Sequence, residues 1–168
     1  KALGRRTVFN FCGPLANPAG VTRQLVGVPH PGLLALYREA MELLGTECAL
    51  IVSGEEGLDE LSIAGTSYAA AIGLPHFQTR IVPGDAGLLP HPLDDLRGGD
   101  GDFNAAALRR MLGGEMGAYR DAVLLNSAAA LVVAGQAGDL YEGAEEAAEA
   151  IDKGLAKALL DCWIETVK

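Results

Sequence analysis

The stretch from Arg23 to Val52 constrains the fold more than any other part of the chain. An apolar run, RQLVGV, is closed by Pro29 and Pro31, and a second apolar run, CALIV, begins at Cys48. Between them Leu33, Leu34, Leu36, Tyr37, Met41, Leu43 and Leu44 recur at helical spacing, and Gly45 supplies a stop. Parallel strands need a long connection and are buried on both faces, so two short apolar runs flanking an amphipathic segment form the pattern of a parallel crossover unit. The spacing predicts strand, helix and strand, with the helix opening near Pro31, and it places the chain in the α/β class.

The segments on either side are read the same way. Leu3 to Pro18 is expected to be a short helix running into a turn-rich loop. LSIA at 61–64 and FQTRIV at 77–82 alternate as further strands do, and an antiparallel pairing would suit them. Asp85 to Pro92 reads as a surface connection into a short helical turn at Leu93 to Leu96. Helices are expected over Phe103 to Leu112, over the nearly all-apolar Asp121 to Ala134, and over Leu140 to Val167 with a break at Gly154.

Composition bounds the rest. At 168 residues and 49% hydrophobic content there is material for one sizeable core, so residues 1–168 are read as a single domain. A formal net charge of -9 opposes nucleic acid and anionic membrane surfaces as partners. The apolar stretch around Val123 to Ala134 falls short of the roughly 20 residues of a spanning helix and is interrupted by Asn126 and Ser127. Cys12, Cys48 and Cys162 match no metal or redox spacing, which suggests reduced thiols with a packing role in a cytoplasmic protein. Because the sequence opens on Lys1 rather than Met, more chain is expected upstream. Cleavage by a trypsin-like protease after an arginine would leave such a start.

Chemistry has few places to reside. Glu55, Glu56, Asp59 and Glu60 cluster just beyond the second strand, where an α/β sheet places its ligand crevice. Mg²⁺ takes oxygen ligands, usually one or two carboxylates with phosphate and water, so the cluster is a candidate cation site. The plainer reading, a solvated acidic loop, is the commoner fate of such clusters. GPLANP at Gly13 to Pro18 would hold a rigid backbone against a flat ligand, or simply make a tight connection. In RGGD, Arg97 to Asp100, the glycines could offer amides to phosphate, but a helical stop followed by a cap at Asp100 accounts for every residue. His30, His76 and His91 each adjoin a proline and read as loop residues, and Asn126 reads as capping a helix or satisfying buried backbone. GxSxG, HExxH, Walker and GxGxxG patterns are all lacking.

Taken together, LGRRTVFNFCGPLANPAG at 3–20, RQLVGV, SGEEGLDELS at 53–62, LDDLRGGD at 93–100 and AVLLNSAAAL at 122–131 resemble the C-terminal half of the anthranilate phosphoribosyltransferase family, collinearly and over essentially the whole chain. The resemblance implies a nucleoside phosphorylase/phosphoribosyltransferase-type α/β domain, present as its C-terminal part, with a central mixed sheet flanked by helices. It implies transfer of a phosphoribosyl group from phosphoribosyl pyrophosphate to anthranilate, releasing diphosphate, in tryptophan biosynthesis. It further implies that Asp59 and Glu60 bind Mg²⁺, Glu60 touching both ions, and that Gly13 and Pro14 wall the anthranilate pocket. Glu55 and Glu56 carry no such role.

The resemblance also says what this stretch does not hold. The family's GTGGD phosphate loop and its HGN-type anthranilate segment belong to an N-terminal half, and its anthranilate-binding arginine falls just before Lys1, so Arg5 and Arg6 do not replace it. The missing N-terminal half is therefore the expected partner, with a homodimer for the full-length protein and no transferase activity for the isolated chain. The rival readings are a non-catalytic paralogue or binding domain of the same fold, and a nucleoside phosphorylase.

Overall fold

The computed structural model describes residues 12–167. Four strands form one mixed sheet in the order β1-β2-β3-β4, with β1 at Arg23–Gly27, β2 at Cys48–Gly54, β3 at Ser67–Ile72 and β4 at Arg80–Ile81. The predicted crossover is present: β1 and β2 are parallel, with Leu25 opposite Leu50, and helix α1 (Leu34–Leu43) connects them after a 3-10 turn at Pro31–Leu33. His30 starts that turn, its imidazole Nδ1 accepting the Gly32 N–H at 2.9 Å. Gly45, at φ +83, ends the helix in a conformation that side chains rarely adopt.

All seven residues of β2 are buried. Its side chains alternate, Cys48, Leu50 and Val52 facing one cluster while Ala49 and Ile51 face another with Tyr37 and Met41 of α1. Against the first face pack α3 (Ala118–Ala134) and α4 (Leu140–Asp152), through Leu125, Ala129, Val133 and Leu140. Each fully buried Leu or Ile contributes about 1.5–3 kcal/mol, so this layer holds the sheet in place. Helices α2 (Gly101–Leu112) and α5 (Leu155–Thr166) form a further layer around Met111, Leu112, Leu124 and Ile151. Gly143 of α4 lies against Ala128 of α3, where a Cβ would stand 2.8 Å from the Ala128 Cα, so the two helices cross almost backbone to backbone.

Several expectations hold in detail. Asp100 caps α2, accepting the Phe103 N–H at 2.9 Å, and Leu93–Leu96 is a 3-10 turn. Gly154, at φ +71, separates α4 from α5. The earliest predicted helix lies outside the described residues up to Phe11, and its described end is a 3-10 turn at Gly13–Leu15. Among the described residues no helix is long and apolar enough to cross a membrane.

The strand expectations after β2 need correction. LSIA at 61–64 is not a strand, although Leu61 and Ile63 are buried, because side chains rather than a neighbouring strand satisfy its backbone. The Leu61 N–H goes to Asn126 and the Ser62 N–H to Ser67 Oγ. The antiparallel partner of β2 is SYAAAI, whose alanines hide its strand character, with Val52 opposite Ala69. FQTRIV contributes only Arg80–Ile81, antiparallel to β3. The packing role expected of the cysteines fits buried Cys48 but not Cys162, which is exposed on α5.

Candidate functional site

The chain leaves β2 at Gly54 and turns sharply. The Gly57 N–H bonds to the Gly54 carbonyl at 3.0 Å, the Gly54 N–H to the Leu58 carbonyl at 2.8 Å, and Gly57 adopts φ +89. A second anchor joins the Glu55 N–H to the Thr66 carbonyl at 2.9 Å, just before β3. The tip is thus a constrained turn beyond the carboxyl end of a buried parallel strand, the position where open α/β sheets bind ligands.

The four acidic residues divide by what their carboxylates do. Glu56 is engaged within the turn, accepting a hydrogen bond from the hydroxyl of buried Ser62, which in turn accepts the Ala64 N–H. Asp59 and Glu60 stand adjacent at the surface of the turn. Partial burial, and then the neighbouring Asp59 carboxylate, push the Glu60 carboxyl above its ordinary range. A cation beside the pair would relieve that repulsion.

Backbone packing seats the pair. The Asp59 carbonyl lies directly over Gly27 at the end of β1, and residue 27 could carry no side chain there. Leu61, the next residue after Glu60, is held from the other side by Asn126 of α3. Glu60 also lines an open cleft of about 760 Å³ with Leu58, Leu93, Arg97, Val123 and Asn126.

The donor set fits a hard divalent ion held in an open site. Among the described residues no group of three or more His, Cys, Asp or Glu side chains is placed to enclose a metal. Two carboxylates with room for phosphate and water are what Mg²⁺ ordinarily uses, whereas a structural zinc site would need four protein ligands.

The remaining candidates stand apart. Gly13 is exposed in its 3-10 turn and Pro14 is half-buried, while Leu15 packs against the cluster containing Val26 and Tyr37. Neither Gly13 nor Pro14 lines the cleft beside Glu60. His91 lies in a loop, as expected, but its Nε2 also meets Asp121 Oδ2 at 2.7 Å, an ion-pair geometry that spacing gave no means of finding. The Asn126 contact had a faint signal in advance, a carboxamide interrupting an otherwise apolar helix.

A family model described as glycosyl transferase family, a/b domain, matches residues 1–157. This chain belongs to that family. Within the glycosyl transferase family, the relatives it resembles share one activity in name. Anthranilate phosphoribosyltransferase from Sphingopyxis alaskensis is 59% identical over 165 residues, 98% of this chain and 50% of that protein. The enzyme of the same name from Novosphingobium aromaticivorans is 56% identical over 169 residues, 100% of this chain and 51% of that protein. The chain thus spans about half the length of the curated relatives it matches. Among solved structures, anthranilate phosphoribosyltransferase from Thermus thermophilus superposes with a TM-score of 0.90 at 41% identity, covering 98% of this chain and 49% of that one. The Saccharomyces cerevisiae enzyme, solved in complex with PRPP and Mg, superposes with a TM-score of 0.89 at 31% identity, covering 99% of this chain and 48% of that one.

Proposed function

We propose that residues 1–168 are a single partial domain, the C-terminal part of the α/β domain of an anthranilate phosphoribosyltransferase. In the complete enzyme the reaction is transfer of a phosphoribosyl group from phosphoribosyl pyrophosphate to the amino group of anthranilate, with release of diphosphate. The observation that carries this reading is the Asp59–Glu60 pair, seated on a constrained turn beyond the carboxyl end of β2 in a fold that superposes on an enzyme solved with PRPP and Mg.

Asp59 and Glu60 would hold Mg²⁺ through their carboxylates. Bound there, Mg²⁺ supplies positive charge against the diphosphate as the glycosidic bond breaks. The turn fixes the backbone that carries the two carboxylates at the carboxyl end of β2, which lowers the cost of gathering them around the ion. Gly13 and Pro14 would wall the anthranilate pocket. In this reading the chain itself supplies no covalent nucleophile, and its contribution is positioning and electrostatics.

The missing N-terminal half is the partner this reading requires, and the full-length protein would be a cytoplasmic homodimer in the tryptophan pathway. The test is complementation. The chain is assayed alone and mixed with a separately produced N-terminal half of the Sphingopyxis alaskensis enzyme, with anthranilate, phosphoribosyl pyrophosphate and Mg²⁺, following anthranilate fluorescence. The expected outcome is turnover only in the mixture. A folded chain that associates with that half and yields no turnover would favour a non-catalytic domain.

A further inference from the structure

We infer that Asn126 is a positioning residue for the Asp59–Glu60 pair, an inference that rests on the metal-binding reading of those carboxylates. The side chain of Asn126 makes a two-point contact with the backbone of Leu61. Its Oδ1 accepts the Leu61 N–H at 2.9 Å and its Nδ2 donates to the Leu61 carbonyl at 3.0 Å. Nδ2 also donates to the Ala122 carbonyl one turn back in α3 at 3.0 Å, which fixes the rotamer and the amide orientation together.

This contact acts on Glu60 through the planarity of the peptide bond. The Leu61 N–H and the Glu60 carbonyl belong to one rigid peptide unit, so a side chain that aims the N–H also sets the backbone torsion of Glu60. Leu61 is 1% exposed, and its backbone has no strand partner in this region. Without the carboxamide, its N–H and carbonyl would be left buried and unpaired, and the 60–61 peptide would rotate to find water. Rotation there re-aims the Glu60 carboxylate, while Asp59 stays seated over Gly27. The pair would lose its shared geometry with the core intact. Asn126 also lines the same cleft as Glu60, so the helix that builds the cleft wall is the one that sets the carboxylate.

A purely structural role for Asn126 would lower stability and leave metal affinity alone, and the experiment separates the two. The ¹⁵N-labelled 168-residue chain is titrated with Mn²⁺ alone, reading paramagnetic broadening of the amides flanking Asp59 and Glu60. The set comprises wild type, Asn126→Ala, the milder Asn126→Ser, the double variant Asp59→Asn with Glu60→Gln, and Met41→Ala as a core lesion distant in sequence. Wild type and Met41→Ala are expected to broaden at the same Mn²⁺ concentration, and Asn126→Ala to need at least fivefold more. If Asn126→Ala loses its dispersed spectrum, Asn126→Ser carries the comparison, with a shift in the same direction. An Asn126 variant that is folded and titrates like wild type overturns the inference alone. Absence of broadening in wild type, or its persistence in the double variant, would overturn the metal reading and the inference with it.

Discussion

A Cβ placed on Gly27 would stand 1.6 Å from the backbone carbonyl oxygen of Asp59. The end of β1 and the first residue of the acidic pair are therefore in direct backbone contact, and only glycine permits it. Replacing Gly27 by alanine should push the turn off the sheet, lowering stability by about 1–3 kcal/mol as overpacking does. Chemical denaturation of Gly27→Ala against wild type checks the stability change. The accompanying displacement should appear as large amide shifts from Leu58 to Leu61.

Partial burial, and then the proximity of Asp59, raise the Glu60 carboxyl above its ordinary range. A raised folded-state value means that the native protein binds the proton more tightly than the unfolded chain. This contribution to stability is present at pH below the unfolded value and is lost as pH rises through the folded one. Protons and cations compete for the same carboxylate, so metal binding should begin to fail at a higher pH than an ordinary glutamate would dictate. Asp59→Asn should lower the Glu60 value by removing the like charge, which carboxyl ¹³C shifts followed against pH would measure.

Arg120 is 3% exposed and donates from Nη2 to Asp152 at 2.8 Å, tying α3 to the end of α4. Among the described residues its Nε and Nη1 find no hydrogen-bond partner. A buried cation with incomplete compensation contributes little net stability, but removing its one carboxylate leaves the charge unpaired. Asp152→Ala should therefore destabilise by about 3 kcal/mol, discounted because Asp152 is half exposed, and by more than Arg120→Met does. Thermal denaturation of the two variants orders them.

Gly143 and Ala128 bring α3 and α4 into close backbone contact, with 2.8 Å between a methyl placed at 143 and the Ala128 Cα. Gly143→Ala gains helix propensity of about 1 kcal/mol yet forces α3 and α4 apart, and the clash with backbone should win. The expected result is a net loss of stability, readable as a lowered denaturation midpoint.

How much of this is legible in the sequence follows from which forces act locally. Strand β1, helix α1 and strand β2 are readable because burial imposes periodicity on consecutive residues, and Asp100, Gly45 and Gly154 are readable because caps and stops are local chemistry. Strand β3 escapes such a reading because SYAAAI carries no β-branched residue before Ile72, its strand state being imposed by pairing with β2. LSIA misleads for the converse reason: its apolar side chains are buried like those of a strand, but its backbone is satisfied by Asn126, 65 residues away. The acidic cluster at 55–60 can be pointed to from its place after a buried strand, whereas singling out Asp59 and Glu60 within it comes from the family resemblance. That Glu56 is occupied by Ser62 can be learned only from the fold.

The central claim is that Asp59 and Glu60 supply the metal site of a phosphoribosyl transfer completed by an N-terminal half. The most direct test is the complementation assay run with the double variant Asp59→Asn and Glu60→Gln, alongside gel filtration to establish that the two halves still associate. The account predicts assembly like wild type and turnover reduced at least about a hundredfold, of the order expected when charge stabilisation at the reacting group is removed. Wild-type turnover from the assembled double variant would contradict it.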